Sequence, residues 1–263
     1  MTRIYTLVNQ KGGVGKTTTA INLGAFLAQL GQRVLIVDLD PQANATSCLG
    51  VDKSTVANST YDALIGSVPP HTLILHNERL RISLLPSSPA LAGAEVELVS
   101  ETARESRLRQ AVEQLDGRYD YILIDCPPSL GLLTVNGLVA ARDGVLIPVQ
   151  CEYLALEGLG QLTQTIQRVR SGLFPDLAVR GVILTMFDPR TNLSADVVKE
   201  VNRHFPDRVF KTVVPRSIRL AEAPSYGLPV SVYAPGSSGA QAYEALAREV
   251  LKGDGVKVKA AQT

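Results

Sequence analysis

Tryptophan is absent from this chain, and cysteine and histidine occur only three times each. Cys48, Cys126 and Cys151 are odd in number and far apart, which excludes a disulfide framework and a Cys-x-x-Cys metal pair. His71, His76 and His204 show no metal-ligand spacing. The cysteines therefore read as small buried hydrophobes and the histidines as surface residues. No apolar run approaches the roughly 20 residues that a membrane-spanning helix needs. Neither charge dominates: 26 Lys and Arg against 25 Asp and Glu leave a formal net charge of +1. Any nucleic-acid surface must then come from local clustering. Linkers, low-complexity stretches and internal repeats are missing as well. With 45% apolar and 19% charged residues, the 263-residue chain reads as a single globular domain over 1–263, with 251–263 a polar tail. Met1-Thr2-Arg3 runs directly into the first apolar segment and leaves no room for a signal peptide, so the expected location is cytoplasmic.

What the chain does have is concentrated near its start. Ile4-Tyr5-Thr6-Leu7 is β-prone and is followed by Val8-Asn9-Gln10-Lys11-Gly12-Gly13-Val14-Gly15-Lys16-Thr17-Thr18. Strand, glycines, Lys-Thr and helix in that order form a loop that cradles phosphates. The backbone N–H groups of Gly12, Gly13, Val14, Gly15 and Thr18 wrap the phosphate oxygens, Lys16 reaches the β/γ oxygens and the Thr17 hydroxyl holds Mg²⁺. The following helix adds its N-terminal partial charge. The usual G-x-x-x-x-G-K-[ST] pattern places a glycine where this chain has Gln10, and a second lysine, Lys11, precedes the Gly-Gly pair.

Strands and helices alternate along the rest. Residues 17–31 read as a helix, 34–38 as a buried strand ending at Asp38, 60–64 as a short helix, and 71–75 and 80–85 as short strands. Residues 100–115 read as an amphipathic helix, 119–125 as a buried strand ending at Asp125, and 145–149 as a further strand before a helix near 154–171. A strand over 179–187, a helix to about 204 and a helix near 239–251 close the chain. This pattern predicts an α/β fold, a mostly parallel sheet with helices on both faces. Ligands in such sheets sit at the carboxyl ends of the strands, which puts Asp38, Asp40 and Asp125 next to the bound phosphates. An apolar strand capped by Asp, as in 119–125, suits a magnesium shell completed by water, so Asp125 is the expected partner of Thr17.

K-G-G-V-G-K-T-T, D-L-D-P-Q-A-N, I-D-C-P-P-S-L-G, P-V-Q-C-E-Y-L-A-L-E-G and P-R-S-I-R-L-A-E-A-P-S together resemble the ParA/MinD family of ATPases, with nearly the whole chain covered. Among its branches the motifs look most like the chromosomal ParA (Soj) proteins. The resemblance implies a three-layer P-loop NTPase fold, ATP and Mg²⁺ as ligands, and an ATP-bound homodimer in which Lys11, the family's signature lysine, reaches the partner's phosphates. It implies that Asp40 orients the attacking water, with capping of the next helix as the alternative or an additional role, and that Asp38 and, partly through water, Asp40 support the metal shell. It matches Val213-Val214-Pro215-Arg216 to the family's base-contacting segment, while Met186 and Phe187 flank the base or belong to the core.

A basic stretch over 199–219 carries Lys199, Arg203, Arg208, Lys211, Arg216 and Arg219, opposed within the stretch only by Glu200 and Asp207. Charge alone leaves open a solvated face. The resemblance favours non-specific double-stranded DNA, with Arg190 and Arg219 matching arginines used on DNA and Lys199 and Arg203 beside them. It implies a ParB-type centromere-binding partner and a nucleoid-associated location. The alternative is a MinD-like switch acting on a protein or membrane partner. The tail Leu251-Lys252-Gly253-Asp254-Gly255-Val256-Lys257-Val258-Lys259 makes a poor interfacial helix, so no membrane anchor is expected.

Overall fold

The computed structural model describes residues 1–152 and 155–257, including side chains except at 155–157. The expected helix start at 154, the Tyr153-Leu154 part of the fourth motif, and the tail from Val258 onward lie outside the described residues. In chain order the elements are β1 (Arg3–Leu7), α1 (Lys16–Gln29), β2 (Val34–Asp38), α2 (Asn44–Cys48), α3 (Thr60–Ile65), β3 (Leu75–Asn77) and β4 (Ile82–Leu85). Then follow α4 (Leu91–Glu97), α5 (Arg107–Glu113), β5 (Tyr121–Asp125), α6 (Leu132–Ala140), β6 (Gly144–Gln150), α7 (Ala155–Gly172) and β7 (Val179–Phe187). The last are α8 (Asn192–His204), β8 (Val209–Pro215), α9 (Ile218–Glu222), α10 (Val230–Tyr233) and α11 (Ser238–Gly253).

The strands form one sheet in the order β3-β4-β2-β5-β1-β6-β7-β8. Every neighbouring pair is parallel except the antiparallel edge pair β3–β4. Alternation along each strand sends side chains to opposite faces. Tyr5, Leu7, Val34, Ile36, Tyr121, Leu123, Leu146 and Ile183 pack with α1, α10 and α11. Ile4, Leu35, Val37, Ile122 and Ile124 meet α3 to α6 on the other face. Val145, Ile147, Val149, Val182 and Leu184 meet α7 and α8 there. The layers are therefore helix, sheet and helix, as expected.

Several local expectations change. Pro70–Thr72 forms a 3-10 turn, and the strand falls later, at Leu75–Asn77, because Pro69 and Pro70 offer no N–H to a ladder. The expected helix over 100–115 is helical only over Arg107–Glu113, after a 3-10 turn at Arg104–Ser106. Ala103, with φ of 54°, interrupts the earlier part in the left-handed region. Its apolar face is still Leu108, Ala111, Val112 and Leu115, all buried. The sequence reading did not place α4, α6 or β8. α6 is apolar on most sides and buried between the sheet and α5, so it carries no amphipathic period.

Register brings the site together. Leu7 and Asp38 both pair with Asp125, so the ends of β1, β2 and β5 are level. The glycine-rich loop leaves β1 at that point, above two adjacent carboxylates.

Candidate nucleotide site

The loop between β1 and α1 is held in place by side chains from three directions. Asn9 Nδ2 donates to Pro148 O at 2.7 Å, and Asn9 Oδ1 accepts from Lys11 N at 3.0 Å. Thr185 Oγ1, from β7, donates to Val14 O at 2.8 Å. Gly13 and Gly15 have φ of 74° and 88°, a left-handed conformation that side chains other than glycine adopt at a cost. Gly15 is the cap residue of α1, and no side chain occupies that end. The first N–H groups of the helix therefore face the loop unsatisfied, as an anion site requires.

Gly12, Gly13, Gly15, Lys16, Thr17, Thr18 and Asp40 line one cleft of about 380 Å³. Gln42, Asn44, Cys48, Pro128 and Met186 complete its wall and were not anticipated as a group. Of these only Met186 is a sequence candidate for the base, and the structure separates it from its neighbour. Met186 lines the cleft with φ of 52°, whereas Phe187 packs on the core beside α7 and α8. Cys48 is half-buried rather than buried, while Cys126 and Cys151 are buried and all three histidines are exposed.

Val14 is buried and contributes through its backbone. Lys11 is half-exposed, lies outside the cleft lining and forms no ion pair among the described residues. Pro215 ends β8 opposite Phe187, and Arg216 N donates to Phe187 O at 3.0 Å. Neither Pro215 nor Arg216 lines the cleft; the Arg216 side chain pairs with Glu152 at 2.7 Å.

The charged residues below the loop are strongly perturbed. Lys16 is almost fully buried and its Nζ donates to Lys11 O at 3.3 Å. Burial pulls its pKa down, against the Asp125 charge that raises it. Thr17 Oγ1 donates to Asp125 Oδ2 at 2.6 Å, and Asp125 Oδ1 is buried without a hydrogen-bond partner. Burial first, and then the neighbouring Asp38 charge, push the Asp125 carboxyl well above the usual carboxylate range. An orphaned, destabilised carboxylate beside a hydroxyl is a place where a small cation compensates both defects. No cluster of three or more His, Cys, Asp or Glu suited to a metal occurs among the described residues. The Thr17–Asp125 pair suits magnesium, which takes one or two protein oxygens and fills the rest with phosphate and water.

Asp38 has a different environment. Its Oδ2 accepts from Thr46 N at 2.8 Å and Thr46 Oγ1 at 2.7 Å, and its Oδ1 accepts from Asp40 N at 3.2 Å. The N-terminal turn of α2 is thus capped by Asp38, whereas Asp40 Oδ1 accepts only from Gln42 N, at 2.9 Å. The helix-capping role that the sequence offered for Asp40 falls to Asp38.

The basic residues lie elsewhere. Arg190 follows β7, Arg219 sits on α9 beyond β8, and Lys199 and Arg203 share a face of α8 four residues apart. Each is paired: Arg190 with Asp188 at 2.7 Å, Lys199 with Asp196 at 3.4 Å, Arg203 with Glu200 at 2.9 Å and Arg219 with Glu222 at 2.8 Å. This corrects the expectation that only Glu200 and Asp207 oppose the stretch. The fold brings in carboxylates from outside it: Asp196, Glu152 and Glu222.

Sheet order, loop and buried carboxylate together define a P-loop NTPase of the two-lysine type. A family model described as an AAA domain matches residues 2–179. The chain is 53% identical over 250 residues to the sporulation initiation inhibitor protein Soj of Bacillus subtilis, covering 95% of this chain and 98% of that protein. It is also 53% identical over 252 residues to the chromosome partitioning protein ParA of Myxococcus xanthus, covering 96% and 89%. The chain belongs to the ParA/Soj family. A solved structure of cobyrinic acid a,c-diamide synthase from Mycobacterium smegmatis, with bound ADP and magnesium, superposes with a TM-score of 0.85 at 40% identity, covering 96% of this chain and 95% of that one.

Proposed function

We propose that the chain is a magnesium-dependent ATP hydrolase whose output is dimerisation, acting in chromosome partition with the whole of 1–263 as one domain. The observation that carries the hydrolase reading is the Thr17–Asp125 pair with its orphaned Oδ1, directly under the glycine loop. Thr17 and Asp125 hold the magnesium, with Asp38 behind them; the ion, when bound, neutralises the β- and γ-phosphate oxygens. Lys16 and the loop N–H groups stabilise charge on the transferred phosphoryl group. Asp40, in the cleft wall with one oxygen committed to Gln42, orients the water. Pro215 and Arg216 contact the adenine end.

Lys11 supports the dimer. Lys11 is not among the lining residues of its own cleft, although its carbonyl accepts from Lys16, and its neighbour Gly12 is exposed, with a Cβ there meeting Pro128 at 3.9 Å and nothing else among the described residues. Among the described residues nothing within the protomer requires glycine at 12, whereas a second protomer facing the loop would. Two copies then each supply Lys11 to the other's phosphates, and ATP binding is coupled to association. The closed dimer holds double-stranded DNA without sequence preference through Arg190, Lys199, Arg203 and Arg219. Their exposed ion pairs are weak and exchange readily for phosphate contacts. A ParB-type partner stimulates hydrolysis and releases the dimer from the nucleoid.

One other reading is less well supported. A MinD-like membrane switch needs a free amphipathic helix, yet α11 buries Tyr243, Leu246, Ala247, Val250 and Leu251 on the sheet. Among the described residues no helix is long and apolar enough to cross a membrane. The test of the proposal is ATP turnover measured with and without Mg²⁺, alongside oligomeric state with ADP and with ATP. A protein that stays monomeric with ATP, or shows no magnesium-dependent turnover, removes it.

A further inference from the structure

Asp40 is held by more than its own turn. Asp38 Oδ1 accepts from Asp40 N at 3.2 Å, and Ser87 Oγ donates to Asp40 O at 2.7 Å. Between these two, Thr46 Oγ1 donates to Asp38 Oδ2 at 2.7 Å and accepts from Ser87 N at 2.9 Å. The hydrogen bonds close a ring: Asp40 N, Asp38, Thr46, Ser87 and back to Asp40 O. Asp38, Thr46 and Ser87 are fully buried, at 0% exposure. The ring joins the end of β2, the helix α2 and the loop after β4, segments up to 49 residues apart in sequence between Asp38 and Ser87. Hydrogen-bond networks of this kind, satisfied and sealed from water, hold one geometry.

We propose that Thr46 and Ser87 are positioning residues for hydrolysis: they fix the backbone of Asp40 on both sides and so aim its carboxylate at the attacking water. The inference rests on the water-orienting role proposed above for Asp40. Neither hydroxyl lines the nucleotide cleft, so their loss leaves the phosphate contacts in place. A shift of the Asp40 backbone by a fraction of an ångström alters the water's approach without altering ATP binding, and such misplacement costs up to about 100-fold in rate.

The test compares Thr46→Val, which keeps the shape and removes the hydroxyl, with Thr46→Ser, which keeps the hydroxyl. Ser87→Ala gives an independent break in the ring. Thr46→Val and Ser87→Ala are expected to lower kcat by about tenfold or more, with KM for ATP within about twofold and an intact ATP-dependent dimer. Thr46→Ser is expected to restore most of the rate. A variant that raises KM with kcat unchanged, leaves kcat unchanged, or loses folding and dimerisation in Thr46→Val and Ser87→Ala alike overturns the inference. Asp40→Ala run in parallel separates the two levels: if it hydrolyses ATP normally, the role of Asp40 itself has failed, whereas a dead Asp40→Ala beside active ring variants sinks only the positioning role.

Discussion

Asp38 and Asp40 are separated by one residue, yet the fold assigns them different tasks. A strand's last residue points into the layer beneath, and Asp38 is fully buried there with its oxygens taken by Thr46 and the Asp40 N–H. Asp40, just beyond the strand, reaches the cleft. Removing its carboxylate by Asp40→Ala should leave ATP binding and dimerisation intact and reduce turnover by about 100-fold or more, read by phosphate release under saturating ATP. Lys16 is the opposite case. It is buried below the loop and held by Lys11 O, so no other cation replaces it. Lys16→Ala should abolish nucleotide binding, measured by titration with a fluorescent ATP analogue, while the thermal unfolding of the free protein changes little.

At the scale of elements, the loop is held through hydrogen bonds from its neighbours. β7 supplies Thr185 to the carbonyl of Val14, and β6 supplies the carbonyl that receives Asn9. α6 lies close against the sheet on the other side. Its Gly137 carries no side chain, and a Cβ there would sit 2.5 Å from Cys126 Sγ and 3.2 Å from Thr6 Cγ2. Thr6 Oγ1 also donates to Gly137 O at 2.6 Å. The Gly137→Ala change therefore forces α6 away from β1 and β5, under the Asp125-Cys126 corner. It should destabilise the fold by about 1–3 kcal/mol, observed as a lower urea midpoint.

For the whole molecule, the proposed dimer and DNA contacts would place its output on a surface rather than in the core. Lys11→Ala should bind ATP yet remain monomeric by light scattering, and a normal ATP-dependent dimer would end the claim that Lys11 acts across an interface. Arg219→Ala should dimerise with ATP but lose DNA affinity, with a shallower dependence of the remaining binding on salt. A gel shift on unrelated DNA at two salt concentrations reads both. Because Arg219 is paired with Glu222, Glu222→Gln should strengthen the same binding by freeing the guanidinium.

Local chemistry made much of this legible from residues alone. The glycine loop, the strands ending at Asp38 and Asp125, and the two lysines are encoded within short segments, since left-handed backbone, β-propensity and a helix start are short-range properties. The strand over 179–187 was read with its observed ends, as was 34–38. What the sequence could not determine depends on contacts between distant segments. Level register puts Asp38 beside Asp125, tertiary hydrogen bonds give Asp38 to Thr46, and carboxylates from outside 199–219 pair with the basic stretch. α6 escaped notice because a helix buried on most sides has no polar face to mark its period. Sequence thus determined that a phosphate site exists and which residues compose its loop. Only packing decided which carboxylate faces the cleft, because Thr46 on α2 occupies the other.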